Sequence, residues 1–192
     1  MTGSSLDAAY FDGIFESDDD PWDLATSGYE AAKFDHTRSV LADRQYLRAL
    51  EVGCAHGVLT AQLTSLCNTL FAIDISAKAL GRAYDRLGDR PGLSLQRMAF
   101  PQEAPDGPFD LIVLSEVAYY WGVDDLGRAA AWMLENVTAG GRTILVHYVG
   151  ETDYPHSGDD AVEALWSKLG EYFSVVKKDR RGRYRLDLWE KR

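Results

Sequence analysis

Seven consecutive residues, Glu51-Val52-Gly53-Cys54-Ala55-His56-Gly57, have the composition of a loop that brings its backbone close to a ligand. Gly53 permits a tight turn, Ala55 is small enough for close approach, and Gly57 lets a following helix pack tightly. Asp74 stands 21 residues beyond Gly53 and closes a second apolar stretch. A carboxylate there is placed to accept bonds from ribose hydroxyls. A glycine turn alone also occurs without a ligand. Joined to an acid at the end of the second strand, it points to a nucleoside cofactor.

The loop also discriminates among such cofactors. Dinucleotide sites carry Gly-x-Gly-x-x-Gly and place a pyrophosphate at a helix start. Here Ala55 replaces the second glycine and the loop opens on an acid, Glu51. A carboxylate repels a pyrophosphate but favours the ammonium of an amino-acid moiety. S-adenosylmethionine has that ammonium and no phosphate. The expected cofactor is therefore S-adenosylmethionine, with S-adenosylhomocysteine as product.

Methyl transfer from a sulfonium is an in-line displacement, so catalysis rests on positioning and, for an amine, on removing a proton. The candidate catalytic residues are Glu116, Tyr120 and His147, with Tyr119, Tyr154 and His156 also near strand ends. Glu116 reads as a base or orienter, or as an acid bonded to loop amides. Tyr119-Tyr120-Trp121 reads as a wall for an amine or sugar, or as packing. His147 is a base or a satisfied core histidine. The loop Asp153-Tyr154-Pro155-His156 is a substrate lid or a plain surface loop, and His56 starts a helix without chemistry. No His, Cys and Asp grouping has metal-ligand spacing, so no metal is expected.

The elements that must hold these residues alternate. Leu6 to Phe15 fits a short helix, and Ser27-x-x-Glu30 is a capping box opening a helix to about Tyr46. Ala49–Val52 is the first strand. Leu59, Leu63 and Leu66 share one helical face, Thr69–Ile73 is the second strand, and Ser76 caps the next helix. Leu93–Met98 reads as a third strand. Phe109–Leu114 is the most strand-like run and the expected centre of the sheet. Leu126, Ala130, Met133 and Val137 mark a helix that Gly140-Gly141 ends, before a fifth strand at Thr143–Val149. A loop at 151–160 leads into a helix to about Leu169. Tyr172–Lys178 and Tyr184–Glu190 form a closing hairpin. The pattern predicts one α/β domain, a Rossmann-like, doubly wound, seven-stranded sheet with an antiparallel last strand.

The chain resembles class I S-adenosylmethionine-dependent methyltransferases through Glu-x-Gly-x-Ala-x-Gly, Asp74, and Phe109-Asp110-Leu111-Ile112-Val113-Leu114-Ser115-Glu116. It further resembles the nodulation protein S-like N-methyltransferases. That likeness is carried by Asp20-Pro21-Trp22, Tyr29-Glu30, Lys33, Ser115–Tyr120, His147 and Asp153-Tyr154-Pro155. The resemblance implies that Gly53, Ala55 and Gly57 face the methionine end, which Glu51 steadies, and that Asp74 holds the ribose. Ile75 lies against the adenine, Ser115 and Glu116 border the methyl group, and Trp22 and Tyr29 close over the cofactor. It also implies an N-terminal helical cap, residues 1–47, on a methyltransferase core, residues 48–192. An acid that many members carry after strand three is replaced by Ala99, leaving the adenine to Met98, Phe100 and backbone.

The implied reaction is N-methylation of an amino sugar or similar amine. O-methylation of a small molecule and a cofactor-binding module without turnover are the alternatives. A nicotinamide oxidoreductase lacks its third glycine in register and a hydride-transfer pair. The net charge of −10 disfavours nucleic acid. The basic run Lys177, Lys178, Arg180, Arg181, Arg183 and Arg185 reads as a solvated hairpin tip. Without a spanning run or a signal-like start, the expectation is a cytoplasmic monomer or homodimer with reduced Cys54 and Cys67.

Overall fold

A computed structural model describes residues 4–192. The first three residues of the N-terminal stretch read for a signal sequence lie outside the described residues. The described residues divide into two compact units: Asp7–Met98, and Ala99–Arg192 together with Ser4–Leu6.

In the first unit, α1 (Ala8–Ser17) and α2 (Gly28–Leu41) precede β1 (Tyr46–Val52), α3 (Val58–Leu63), β2 (Cys67–Asp74), α4 (Ala77–Leu87) and β3 (Leu93–Arg97). The strands are parallel in the order β3-β2-β1, with Val52 opposite Ile73 and Asp74 opposite Arg97. Polar side chains fix the helix starts. Asp7 accepts the Tyr10 amide at 3.0 Å, Ser27 the Tyr29 amide at 3.2 Å, and Ser76 the Ala79 amide at 3.2 Å. Ser76 also donates to Asp12 at 2.6 Å, which ties α1 to the start of α4 and holds the Asp12 carboxyl below its usual range.

The second unit holds β4 (Phe109–Ser115), a 3-10 turn at Ala118–Tyr120, α5 (Val123–Asn136), β5 (Val137–Tyr148), α6 (Gly158–Leu169), β6 (Phe173–Arg181) and β7 (Tyr184–Lys191). Its strand order is β4-β5-β7-β6, with β4 and β5 parallel and β7 antiparallel to both neighbours. Phe109 and Leu111–Leu114 are fully buried, as their unbroken apolar run requires. Gly158 opens α6 where a side chain would strike the Tyr148 carbonyl, so α6 packs directly on the end of β5.

Several expected boundaries move. The second helix stops at Leu41 and β1 begins at Tyr46, not Ala49. Leu66 lies beyond α3, which ends at Leu63, yet is still buried in the turn. Gly140-Gly141 does not end a helix. α5 ends at Asn136, and both glycines lie inside β5, where Gly140 takes a φ of 69°. Trp189 is buried, whereas Trp132 and Trp166 are only half-buried. Cys54 and Cys67 are not joined by a disulfide.

The largest correction concerns Arg185. It is 4% exposed, not at a solvated tip, which Gly182 and Arg183 form instead. Its guanidinium donates to Asp187 at 2.8 and 3.0 Å, to Asp159 at 2.9 Å and to Glu163 at 3.3 Å. It therefore clamps α6 onto β7, and the bonds raise its pKa above an already high value. Replacing Arg185 with Met strands the buried Asp187 carboxylate, a class of change that costs about 3 kcal/mol or more. Urea unfolding of Arg185→Met is expected to show a loss of that order.

Candidate functional site

The loop after β1 is built by its own backbone and by one carboxylate. The Gly53 and Cys54 amides both donate to the Ile73 carbonyl, at 2.8 and 3.1 Å, which fastens the turn to the end of β2. Gly53, Ala55 and Gly57 all have positive φ, at 74°, 48° and 79°. That conformation is easy for glycine and strained for Ala55. Asp74 holds it. Its Oδ2 accepts the Ala55 amide and its Oδ1 the Ser76 amide, each at 2.8 Å.

Glu51 lies one residue before the end of β1 and is 2% exposed. Its Oε2 is buried without a hydrogen-bond partner. Burial, with the Asp74 charge adding to it and the Thr60 hydroxyl opposing it, pushes the Glu51 carboxyl up to about 8. Burial likewise pushes Asp74 up to about 6, against the pull of the amides it binds. The Cys54 thiol between them is pushed up by burial and by both acids. This is an electron-rich loop short of positive charge. A ligand that brings a cation and hydroxyl donors, and no phosphate, fits that donor set.

The other sequence-predicted cofactor residues of this unit are Trp22, Tyr29, Ile75 and Met98. Trp22 is half-buried, with its ring 5.4 Å from Phe15. Tyr29 is half-buried, 5.4 Å from the Lys33 ammonium. Ile75 follows Asp74 directly, and the Met98 amide donates to the Asp74 carbonyl at 3.1 Å. His56 does more than begin a helix. It is 3% exposed, its Nε2 lies 3.2 Å from Asp20, and burial lowers its pKa. Asp20 in turn accepts the Leu24 and Ala25 amides, so it shapes the segment that carries Trp22.

In the second unit Glu116 follows β4 at a φ of 55°. Its amide donates to the Val146 carbonyl at 2.8 Å. Its Oε2 accepts the Tyr119 hydroxyl at 2.7 Å and the Tyr148 amide at 2.8 Å. Tyr119 and Tyr120 are almost fully buried, and burial raises both phenols well above their ordinary value, so they stay neutral hydroxyls. Tyr154 stacks on Tyr119 with centroids 5.2 Å apart and meets Tyr120 edge-on at 4.7 Å. His147 is fully buried, and its Nε2 accepts the Ala118 amide at 3.1 Å. That bond commits its acceptor nitrogen to the 3-10 turn.

Ser115 ends β4 half-buried. Ala99 donates its amide to Glu103, at 3.0 Å. Phe100 is 6% exposed and packs between Trp121 and Trp132, at 5.5 and 5.2 Å. A groove is lined by Val149, Gly150, Glu151, Thr152, Asp153 and Ser157, the residues that flank Tyr154 in sequence. No group of three or more His, Cys, Asp or Glu with metal-binding geometry occurs among the described residues. No helix among them is long and apolar enough to cross a membrane. Sequence reasoning missed the Asp20–His56, Asp12–Ser76 and Glu103–Ala99 links. All join residues whose meeting depends on tertiary structure or loop shape, and no local pattern announces them.

The fold is that of the class I S-adenosylmethionine-dependent methyltransferases: α/β, Rossmann-like, with seven strands and an antiparallel close. The crystal structure of N-methyltransferase NodS from Bradyrhizobium japonicum WM9, in complex with S-adenosyl-L-homocysteine, matches it with a TM-score of 0.81 at 23% identity, covering 96% of this chain and 97% of that one. Within that class the chain belongs to the nodulation protein S family, whose profile matches residues 15–145. Nodulation protein S of Bradyrhizobium diazoefficiens is 37% identical over 103 residues, 53% of this chain and 49% of the relative. That of Rhizobium tropici is 32% identical over 130 residues, 66% of this chain and 54% of the relative. The chain thus spans about half the length of these curated relatives.

The buried acids carry a measurable signature. Folded values of about 8 for Glu51 and 6 for Asp74 exceed the ordinary 4.5 and 3.8, so the folded state holds protons that the unfolded chain releases. The associated stability is present in full below the ordinary values and is lost as pH rises through the folded ones. The ligand-free protein is expected to lose stability between about pH 4.5 and 8, and Glu51→Gln to flatten that slope. Chemical denaturation across the range measures both.

Proposed function

We propose that this chain is an S-adenosylmethionine-dependent methyltransferase that N-methylates a small polar acceptor, the amine of an amino sugar or related oligosaccharide. The observation that carries the reading is the partnerless, fully buried Oε2 of Glu51 beside Asp74. Burying a carboxylate oxygen without a donor is unfavourable unless a ligand supplies one. The ammonium of the cofactor's methionine end answers that need, and the ribose hydroxyls answer Asp74.

In this reading Gly53, Ala55 and Gly57 let the backbone approach the methionine end, and Ile75 and Met98 flank the adenine. Trp22 and Tyr29 close the cofactor in. Ser115, Ala99 and Phe100 have weaker support, and Phe100 is already engaged by two tryptophans. The cofactor supplies an electrophilic methyl group on sulfur. Glu116 receives the acceptor, as a fixed carboxylate that attracts an ammonium and takes its proton. Tyr120, neutral, gives the acceptor an aromatic wall with Tyr119. His147 holds the 118–120 turn that carries both tyrosines. N-methyltransferase NodS, crystallised with S-adenosyl-L-homocysteine, supports cofactor and reaction alike.

Ligand binding and turnover test this separately. A binding ligand at about a hundred times its Kd stabilises a protein by about 2.7 kcal/mol. S-adenosylhomocysteine is expected to raise the melting temperature of the native protein and to leave Asp74→Ala unchanged. With labelled S-adenosylmethionine, glucosamine is expected to accept a methyl on nitrogen, while its N-acetylated form is not. A native protein that S-adenosylhomocysteine does not stabilise would remove the reading.

A further inference from the structure

N-methylation of an amine leaves one proton to dispose of. The acceptor arrives as R–NH3+, since alkylamines hold their proton at neutral pH. Its nitrogen must first give a proton to a base. The freed lone pair then forms the N–CH3 bond while the S–CH3 bond breaks and its electron pair stays on sulfur. The products are R–NH2–CH3+, a neutral thioether and one proton, left on the Glu116 carboxylate. For a second turnover that proton must reach water.

Three hydroxyls lie between this carboxylate and the surface. Tyr119 donates to Glu116 Oε2 at 2.7 Å. Tyr120 acts on the Tyr119 phenol, and Tyr154 on that of Tyr120, to hold each in its protonated form. The rings are locked together, with Tyr119 and Tyr120 centroids 4.6 Å apart and Tyr154 against both. Exposure rises along the series, from 5% at Tyr119 and 8% at Tyr120 to the half-buried Tyr154. Tyr154 directly follows Thr152 and Asp153, which line the groove. The His156 amide donates to the Tyr119 carbonyl at 3.2 Å and docks this loop on the 3-10 turn. The neighbouring His147 offers no parallel path through Nε2, which the Ala118 amide occupies.

We propose that Tyr119, Tyr120 and Tyr154 form a hydroxyl relay that carries the acceptor's proton from Glu116 to the groove at 149–157, with Tyr154 as its exit. The inference rests on the reading of Glu116 as the acceptor's base. Each hydroxyl passes its proton outward as it receives one from inside and then turns back. None needs to ionise, which suits phenols buried too deeply to carry charge. The charged and titratable groups around the inner end are Glu116, Tyr119, Tyr120, His147 and Tyr148. At the outer end they are Glu151, Asp153, Tyr154 and His156.

Tyr154→Phe keeps the stacked ring and removes only the hydroxyl. With glucosamine and S-adenosylmethionine, kcat at neutral pH is expected to fall about tenfold. KM for both substrates should stay within about twofold. The loss should shrink as imidazole is added as an external proton carrier. A variant with native kcat and an unchanged pH profile would overturn the relay. A readout without turnover keeps the tests apart. In S-adenosylhomocysteine-bound protein labelled with 13C at the hydroxyl-bearing tyrosine carbon, Glu116→Gln and Tyr154→Phe should each shift both the Tyr119 and Tyr120 signals. Signals that ignore either end would break the chain of bonds and sink the proposal. Absence of N-methyl product from the native protein would instead count against the amine reading.

Discussion

The first unit depends on one carboxylate. Asp74 ends β2 and binds the amides of Ala55 and Ser76, so a single side chain sets the loop after β1 and the start of α4 together. Without it, Ala55 has no evident compensation for a left-handed conformation that costs a non-glycine residue about 1 kcal/mol or more. The arrangement keeps an acid buried, and a second, Glu51, is buried close enough to raise its own pKa further. Two acids held this way destabilise the empty site and favour a cationic ligand.

The second unit repeats the device with a different acid. Glu116, like Ala55, sits at positive φ, and its carboxylate accepts from the Tyr148 amide and the Tyr119 hydroxyl. Its neighbours are aromatic instead of acidic, so its surroundings suit a polar, cationic partner better than an anion. Arg185 secures the frame behind it. By pairing with Asp187, Asp159 and Glu163, it fixes α6 to β7 and so the end of the loop carrying Tyr154. A buried arginine among three acids is weak evidence for stability as such, and its clearer use is to specify one arrangement.

The family relationship and the site geometry bear on different questions. Profile and fold place the chain among nodulation protein S relatives, but the sequence matches span about half of those proteins. Glu116, Tyr119, Tyr120 and Tyr154 lie on turns and loops beyond the strands. What the geometry contributes there is chemical character: a carboxylate, neutral phenols and a groove with Glu151 and Asp153 in its wall.

Sequence by itself determined the order of elements and the glycine turn after β1. Buried parallel strands must be unbroken apolar runs, tight turns need glycine, and an acid at a strand end is conspicuous, so Phe109–Leu114, Gly53, Gly57 and Asp74 all announce themselves locally. The capping residues Ser27 and Ser76 did so too, because a helix start needs an acceptor within three residues. Boundaries failed where tertiary pairing overrode propensity: Gly140-Gly141 reads as a helix stop, yet both glycines lie in an irregularity of β5, between the pairs Phe109–Val137 and Leu111–Arg142. Only the tertiary structure decided that Arg185 is buried, that Asp20 meets His56, that His147 commits a nitrogen to Ala118, and that Tyr154 stacks on Tyr119. Each is a contact between residues distant in the chain, whose free energy comes from shared burial, and burial is a property of the folded whole that no single stretch of sequence encodes.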